Sequence, residues 1–212
     1  MEFLPDDLQK YVEDHSEPES DLLQQINRET HLHVLKPRML SGHLQGRVLS
    51  MLSHMIAPKN ILEIGTYTGY AALCMAEGMQ KDGRLITIDN NEELAVRTKE
   101  YFSKSEYADR MDMRIGNALE VIPTLKEKWD LVFIDADKEN YANYFDLVIE
   151  RVNKGGFIIA DNVLWSGKVF DMSKNDKDTE AIRTFNKKMH TDSRVQNVLF
   201  PIRDGLMILR KL

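Results

Sequence analysis

The chain has few of the features that mark secreted or membrane proteins. Cys74 is the one cysteine in 212 residues, so no internal disulfide can form. No apolar run approaches the ~20 residues that span a bilayer. The first ten residues, MEFLPDDLQK, lack a basic stretch followed by an apolar one. Together these absences predict a cytoplasmic protein without a membrane partner. Cys74 lies in the apolar run AALCMA, which favours a buried structural thiol over a nucleophile.

Neither sign of charge dominates the chain. The 28 Lys and Arg against 34 Asp and Glu give a net charge of −6, which argues weakly against broad nucleic-acid binding but leaves room for a local basic patch. Hydrophobic residues at 42% and charged residues at 29% are ordinary for a soluble globular protein. We expect one α/β domain, residues 41–212, preceded by a helical extension, residues 1–40, that covers the substrate or contacts a second copy.

Short apolar runs alternate with helical patterns from Asn60 onward. The runs ILEIG, RLITID, MDMRI, DLVFID and FIIAD predict five strands, and Val195–Phe200 with Leu206–Leu209 predicts a closing pair. The alternation implies right-handed βαβ units and a mostly parallel seven-stranded sheet with helices on both faces. The short turn between the last two strands predicts one antiparallel strand. In the extension, Asp21 is expected to cap a helix over residues 22–35.

Oxygen-bearing side chains follow two of the predicted strands. Asp135 ends WDLVFID, and the pair Asp161-Asn162 ends GGFIIADN. Ligands of open α/β sheets bind at the carboxyl ends of strands, so these three side chains should converge on one crevice. Oxygen-only ligands suit a hard divalent cation, with Mg²⁺ favoured and Mn²⁺ or Ca²⁺ compatible. The competing interpretation of Asp135 alone is a helix-capping acid.

A second site is predicted where the first strand meets its helix. The spacing Glu63-x-Gly65-x-x-x-Gly69 allows a tight turn and close backbone approach to a ligand. It is not G-x-G-x-x-G, which disfavours a dinucleotide and hence a nicotinamide dehydrogenase. Asp89 ends the second strand, where an acid accepts hydrogen bonds from ribose hydroxyls. These features predict a nucleoside cofactor, although Glu63 could instead cap local amides.

Five segments together resemble the cation-dependent O-methyltransferases. This group of class I S-adenosylmethionine-dependent methyltransferases includes catechol and caffeoyl-CoA O-methyltransferases. The matching segments are EIGTYTGYAAL at 63–73, ITID at 86–89, FIDADKENY at 133–141, GGFIIADNVLWSG at 155–167 and IRDGLMILRK at 202–211. The resemblance runs from about Met39 to the C-terminus. It implies a Rossmann-like methyltransferase fold, S-adenosylmethionine as cofactor and a homodimer.

The resemblance also implies roles for individual residues. Asp135, Asp161 and Asn162 match the metal ligands, and Lys138 matches the general base, with a solvent-facing lysine as its alternative. Catalysis is therefore expected from Lys138 and Asp135. The implied cofactor contacts are Met39, Ser41, Glu63, Gly65, Tyr67, Gly69, Asp89, Asn117, Ala118, Asp135 and Asp137. Trp165 is expected either to wall the acceptor pocket or to serve packing.

The chain departs from parts of the family at the expected acceptor site. Asp137 stands where catechol methyltransferases have an aromatic wall, which favours the caffeoyl-CoA-like branch. Arg203 replaces a small residue, and the loop at 41–46 differs from the plant enzymes. We therefore expect methyl transfer to a vicinal dihydroxy aromatic small molecule. The alternative acceptor is a hydroxylated uridine in transfer RNA, and a non-catalytic cofactor-binding protein is disfavoured by the intact set of site residues.

Overall fold

A seven-stranded sheet forms the centre of the computed structural model, which describes residues 4–212. The strands are β1 (Asn60–Ile64), β2 (Arg84–Asp89), β3 (Met111–Ile115), β4 (Trp129–Ile134), β5 (Val152–Ala160), β6 (Val195–Phe200) and β7 (Leu206–Lys211). Their order across the sheet is β3-β2-β1-β4-β5-β7-β6. The pairs from β3 through β5 are parallel, and β7 runs antiparallel to both β5 and β6. The predicted fold, with one antiparallel strand near the C-terminus, is confirmed.

The helices are α1 (Asp6–Asp14), α2 (Asp21–His33), α3 (Gly42–Ile56), α4 (Tyr70–Ala76), α5 (Glu92–Ser103), α6 (Ala118–Val121), α7 (Tyr141–Val148) and α8 (Lys177–Thr191). The predicted cap of α2 was wrong by one residue. Ser20 is the cap, because its backbone is extended and its Oγ accepts from the Leu23 N–H at 3.4 Å. Asp21 lies in the first turn instead, where its negative charge interacts favourably with the positive end of the helix dipole.

Successive side chains of each strand point to opposite faces of the sheet, and a hydrophobic core forms on each face. Leu62 and Ile64 of β1 pack with residues of α7 and α8, whereas Ile61 packs with residues of α3, α4 and α5. Helices therefore cover both faces, as predicted. Leu23 and Ile26 of α2 belong to the second core, so α2 packs against this face of the domain. Among residues 4–212, no helix is both long and apolar enough to cross a bilayer.

Cys74 is fully buried in α4. Burial raises the pKa of its thiol to about 12, which disfavours the reactive thiolate. The structural interpretation of this cysteine therefore holds.

Candidate active site

A cleft of about 1780 Å³ opens at the carboxyl ends of β1, β2, β4 and β5. This volume exceeds the ~300–1,000 Å³ of a common ligand pocket, so a cofactor and an acceptor can share it. Most of the predicted site residues line it: Met39, Ser41, Gly65, Tyr67, Asp89, Asn117, Ala118, Asp135, Asp137, Lys138, Asp161 and Asn162. Glu63 and Gly69 do not line it, and Glu63 is fully buried.

The two glycines of the first loop are required by packing within the chain. A Cβ on Gly65 would lie 2.0 Å from the backbone oxygen of Asp135. A Cβ on Gly69 would lie 2.5 Å from the ring of Phe102 on α5. Gly65 therefore brings the ends of β1 and β4 together, and Gly69 permits α4 to begin against α5.

Asp89 holds the same loop in place. Its Oδ2 accepts from the backbone N–H groups of Thr66 at 2.9 Å and Tyr67 at 2.7 Å. Its Oδ1 accepts from the Asn91 N–H at 2.8 Å. A carboxylate offers about four lone-pair sites, and with three of them used only Oδ1 retains acceptor capacity. Asp89 therefore shapes the loop and also presents an acceptor at the edge of the cleft.

Glu63 is a buried acid with one unpaired oxygen. The Thr87 hydroxyl donates to its Oε2, whereas Oε1 has no hydrogen-bond partner among the described residues. Burial raises the pKa of this carboxyl well above its usual range. An orphaned buried polar atom is consistent with a site that a polar ligand or water completes.

Asp161 is held at both carboxylate oxygens. Its Oδ1 accepts from the Asn162 backbone N–H at 2.6 Å, and its Oδ2 accepts from Gln45 Nε2 at 2.5 Å. Burial, and then the neighbouring charge of Asp135, raise its pKa to about 7. Two acids forced together in a buried site would be stabilised by a cation between them.

Lys138 is buried at the same end of the cleft. Its Nζ donates to Asp135 Oδ1 at 3.0 Å and to the Tyr141 hydroxyl at 2.6 Å. The Tyr141 hydroxyl in turn donates to the backbone oxygen of Asp161 at 3.0 Å. The Trp165 ring lies 5.7 Å from Nζ, within cation–π range. The solvent-facing alternative for Lys138 is therefore wrong.

Asp137 points toward α7 and its preceding turn. It accepts hydrogen bonds from the Tyr144 hydroxyl and the Asn140 amide while lining the cleft. These neutral donors leave its negative charge unpaired. Asp137 is therefore able to attract a cationic group.

Strained backbone concentrates around the cleft. Among the described residues, six non-glycine residues have positive φ, and five of them line the cleft: Tyr67, Asn162, Trp165, Ser166 and Arg203. Such conformations cost about 1–3 kcal/mol each and persist where the surrounding structure enforces them. The clustering supports this cleft as the candidate functional site.

The segment before α3 covers one side of the cleft. The Tyr67 hydroxyl donates to the Lys36 carbonyl at 2.9 Å. Arg203 Nη1 donates to the Leu40 carbonyl at 2.9 Å. Residues 36–41, which we term the cover segment, are thus fastened to the loop after β1 and to the β6–β7 turn.

The loop after Trp165 is braced by one guanidinium group. Arg183 of α8 donates from Nε to the Val169 carbonyl at 2.9 Å, and from Nη1 to the Lys174 carbonyl at 2.8 Å. Its Nη2 donates to the carbonyls of Lys168 at 2.9 Å and Asp171 at 2.7 Å. The loop at 168–174 is therefore held in place, and Lys168 at its start forms part of the cleft wall.

Asp135, Asp161 and Asn162 fit a hard divalent cation by their chemistry. They supply carboxylate and amide oxygens from the ends of two adjacent strands. Within residues 4–212, no group of three His, Cys, Asp or Glu side chains is placed to hold a metal. The candidate set instead combines two carboxylates with one side-chain amide.

Gln45 and Tyr141 are site residues that sequence reasoning missed. The position of Gln45 in the sequence indicates a buried amide, because it lies one turn before Leu49 on the apolar face of α3. Tyr141 was assigned to the core or an interface, and it is buried, yet its hydroxyl links Lys138 to Asp161.

The chain matches the model of the O-methyltransferase family over residues 13–212. Caffeoyl-CoA O-methyltransferase 1 of Zea mays is 35% identical over 98% of this chain and 85% of its own length. The O-methyltransferase of Bacillus cereus, solved in complex with SAH, is 29% identical with a TM-score of 0.90 and 97% coverage of both chains. TomG of Streptomyces achromogenes, solved with SAM, is 25% identical with a TM-score of 0.90, covering 97% of this chain and 96% of its own.

This chain belongs to the O-methyltransferase family. The predicted enzyme class, an S-adenosylmethionine-dependent O-methyltransferase with a Rossmann-like fold, is confirmed.

Proposed function

We propose that this enzyme transfers the methyl group of S-adenosylmethionine to one hydroxyl of a vicinal dihydroxy aromatic small molecule, with a divalent cation. The observation that carries the proposal is the meeting of Asp135, Asp161, Asn162 and Lys138 at one end of a cleft with room for two ligands. Relatives named for caffeoyl-CoA support the acceptor class.

Residues from four strand ends would bind S-adenosylmethionine. The proposal assigns the ribose to Asp89 and the adenine to Asn117 and Ala118, all of which line the cleft. Asp137 would attract the ammonium of the methionine part, since its charge has no cationic partner in the site. Glu63 and Gly69 would act by fixing the loop at 65–69.

Asp135, Asp161 and Asn162 would hold the cation, with Mg²⁺ expected and Mn²⁺ or Ca²⁺ as substitutes. When bound, the cation would lower the pKa of the acceptor hydroxyl and orient it. The residues themselves supply a fixed cradle, because Asp161 is bound at both oxygens and Asn162 has a strained backbone.

As the neutral amine, after its own proton has passed to solvent, Lys138 would take the proton of the acceptor hydroxyl at Nζ, and S-adenosylhomocysteine would be the leaving group of the methyl transfer. The hydrogen bonds of Lys138 to Asp135 and Tyr141 fix Nζ at the cation end of the cleft. Trp165, whose ring lies beside Nζ, would form an aromatic wall for the acceptor ring. Much of the rate gain would come from orienting two bound reactants.

The test is methyl transfer from S-adenosylmethionine to catechol, caffeate and caffeoyl-CoA, with Mg²⁺ and with a chelator. We expect cation-dependent transfer to the diols and none to monohydroxy analogues. Equal transfer in chelator would contradict the cation site. Intact cofactor binding without transfer to any diol would contradict the acceptor class, and a hydroxylated uridine in transfer RNA would then be assayed for salt-sensitive binding.

A further inference from the structure

A buried amide of α3 contacts one of the candidate cation ligands, Asp161. Gln45 is 1% exposed, and its Nε2 lies 2.5 Å from Asp161 Oδ2. The other oxygen of Asp161 accepts from the Asn162 backbone N–H. Two donors on different elements therefore fix the rotation of this carboxylate.

We propose that Gln45 is a positioning residue that orients Asp161 for the cation, an inference that rests on the proposed cation site. Donors to metal-binding carboxylates hold the ligand oxygens in the geometry that the metal requires. Without Gln45, Asp161 would stay buried beside Asp135 with one donor fewer and could turn away from the binding geometry.

The position of Gln45 connects the cover segment to the cation site. Helix α3 begins at Gly42, directly after the cover segment, and Gln45 lies in its first turn. The cover segment is itself fastened by Arg203 at the Leu40 carbonyl. Gln45 thus links the position of the cover segment to the orientation of Asp161, the candidate cation ligand directly after β5.

The experiment measures Mn²⁺ affinity by electron paramagnetic resonance and S-adenosylhomocysteine affinity by calorimetry in the full chain. Gln45→Met keeps the length of the side chain and removes the donor. Gln45→Leu also removes the donor and adds no charge. Ser53→Ala is the matched control, because it removes another buried hydrogen bond of α3, the one to the Met75 carbonyl at 2.6 Å.

We expect both Gln45 variants to weaken Mn²⁺ binding by about 10–100-fold, the usual loss for such partners. Their S-adenosylhomocysteine affinity should stay near that of the wild type, and Ser53→Ala should bind both ligands normally. Wild-type Mn²⁺ affinity in a folded Gln45→Met would overturn the positioning role, as would an equal Mn²⁺ loss in Ser53→Ala. A wild-type protein that binds no Mn²⁺ would instead overturn the cation site itself.

Discussion

Single residues decide the chemistry of the cleft, and Asp161 is the clearest case. Replacing Asp161 by Asn preserves its size and removes its charge, so the cation should be held far more weakly while the cofactor wall stays intact. We expect diol methylation at saturating S-adenosylmethionine to fall by at least ~10²-fold. Calorimetry with S-adenosylhomocysteine is the control, and a comparable loss of that affinity in the folded variant would contradict the assignment.

The residues that sequence reasoning found are those attached to strand ends. Asp135, Asp161 and Asn162 follow strands whose apolar pattern is plain, and parallel strands bring their ends to one edge of the sheet. Gln45 lies 116 positions from Asp161, so local patterning carried no sign of their hydrogen bond. The contact depends on how α3 packs, which is a tertiary property.

At the scale of elements, Arg183 fixes the loop beside the cleft. Arg183→Met should release four loop carbonyls and lower the free energy of unfolding by about 2 kcal/mol. The acceptor KM should rise several-fold as the wall loosens, whereas cofactor affinity should hold. Denaturant unfolding and steady-state kinetics measure these effects. Lys187→Met, an exposed change on the same helix, serves as the control. Unchanged acceptor KM with reduced stability would limit Arg183 to a structural role.

The sequence predicts the ends of a strand correctly where an apolar run stops at polar turn residues. β2 and β3 have the predicted bounds, because β-branched or apolar runs end at polar turns. The apolar residues after Gly69 favour a helix from Tyr70 to about Met79, but α4 ends at Ala76. A Cβ on Gly78 would lie 2.2 Å from the His54 backbone nitrogen, so the residues just after α4 pass against the backbone of α3, a tertiary contact that local sequence patterns do not indicate.

At the scale of the whole molecule, the buried acid pair predicts a stability that depends on pH and on cations. The pKa of Asp161 is raised from 3.8 to about 7, so its stabilising contribution is complete below about pH 4 and is lost as the pH rises through about 7. Cation binding requires the ionised carboxylate and should restore stability mainly above pH 7. Thermal unfolding should show a larger rise in Tm with Mg²⁺ at pH 8 than at pH 5.

Asp161→Asn is the control for this pH dependence. It should abolish the Mg²⁺ effect and flatten the change in Tm with pH. A wild-type Tm that responds equally to Mg²⁺ at both pH values would contradict the coupling.

The predicted homodimer requires an apolar surface, and α3 offers one. Met51 and Met55 lie one turn apart and are 63% and 76% exposed. Light scattering after size exclusion should give twice the 24.5 kDa of the chain. The double change Met51→Lys and Met55→Lys should give the monomer mass, whereas Val96→Lys on α5 should not. A wild-type protein of 24.5 kDa would refute the dimer, and an unchanged mass in the double variant would place the interface elsewhere.

The residues with left-handed backbone conformation around the cleft affect how the protein can gain stability. Ser166 has φ 53, and glycine adopts that conformation without the Cβ penalty, so Ser166→Gly should raise the free energy of unfolding by about 1 kcal/mol. Denaturant unfolding measures this gain, and a loss would contradict the strain. The same gain is open at Asn162 and Arg203, but Asn162 is a candidate cation ligand and Arg203 binds the cover segment at the Leu40 carbonyl. Thermostability selected without regard to activity would therefore tend to erase this active site first.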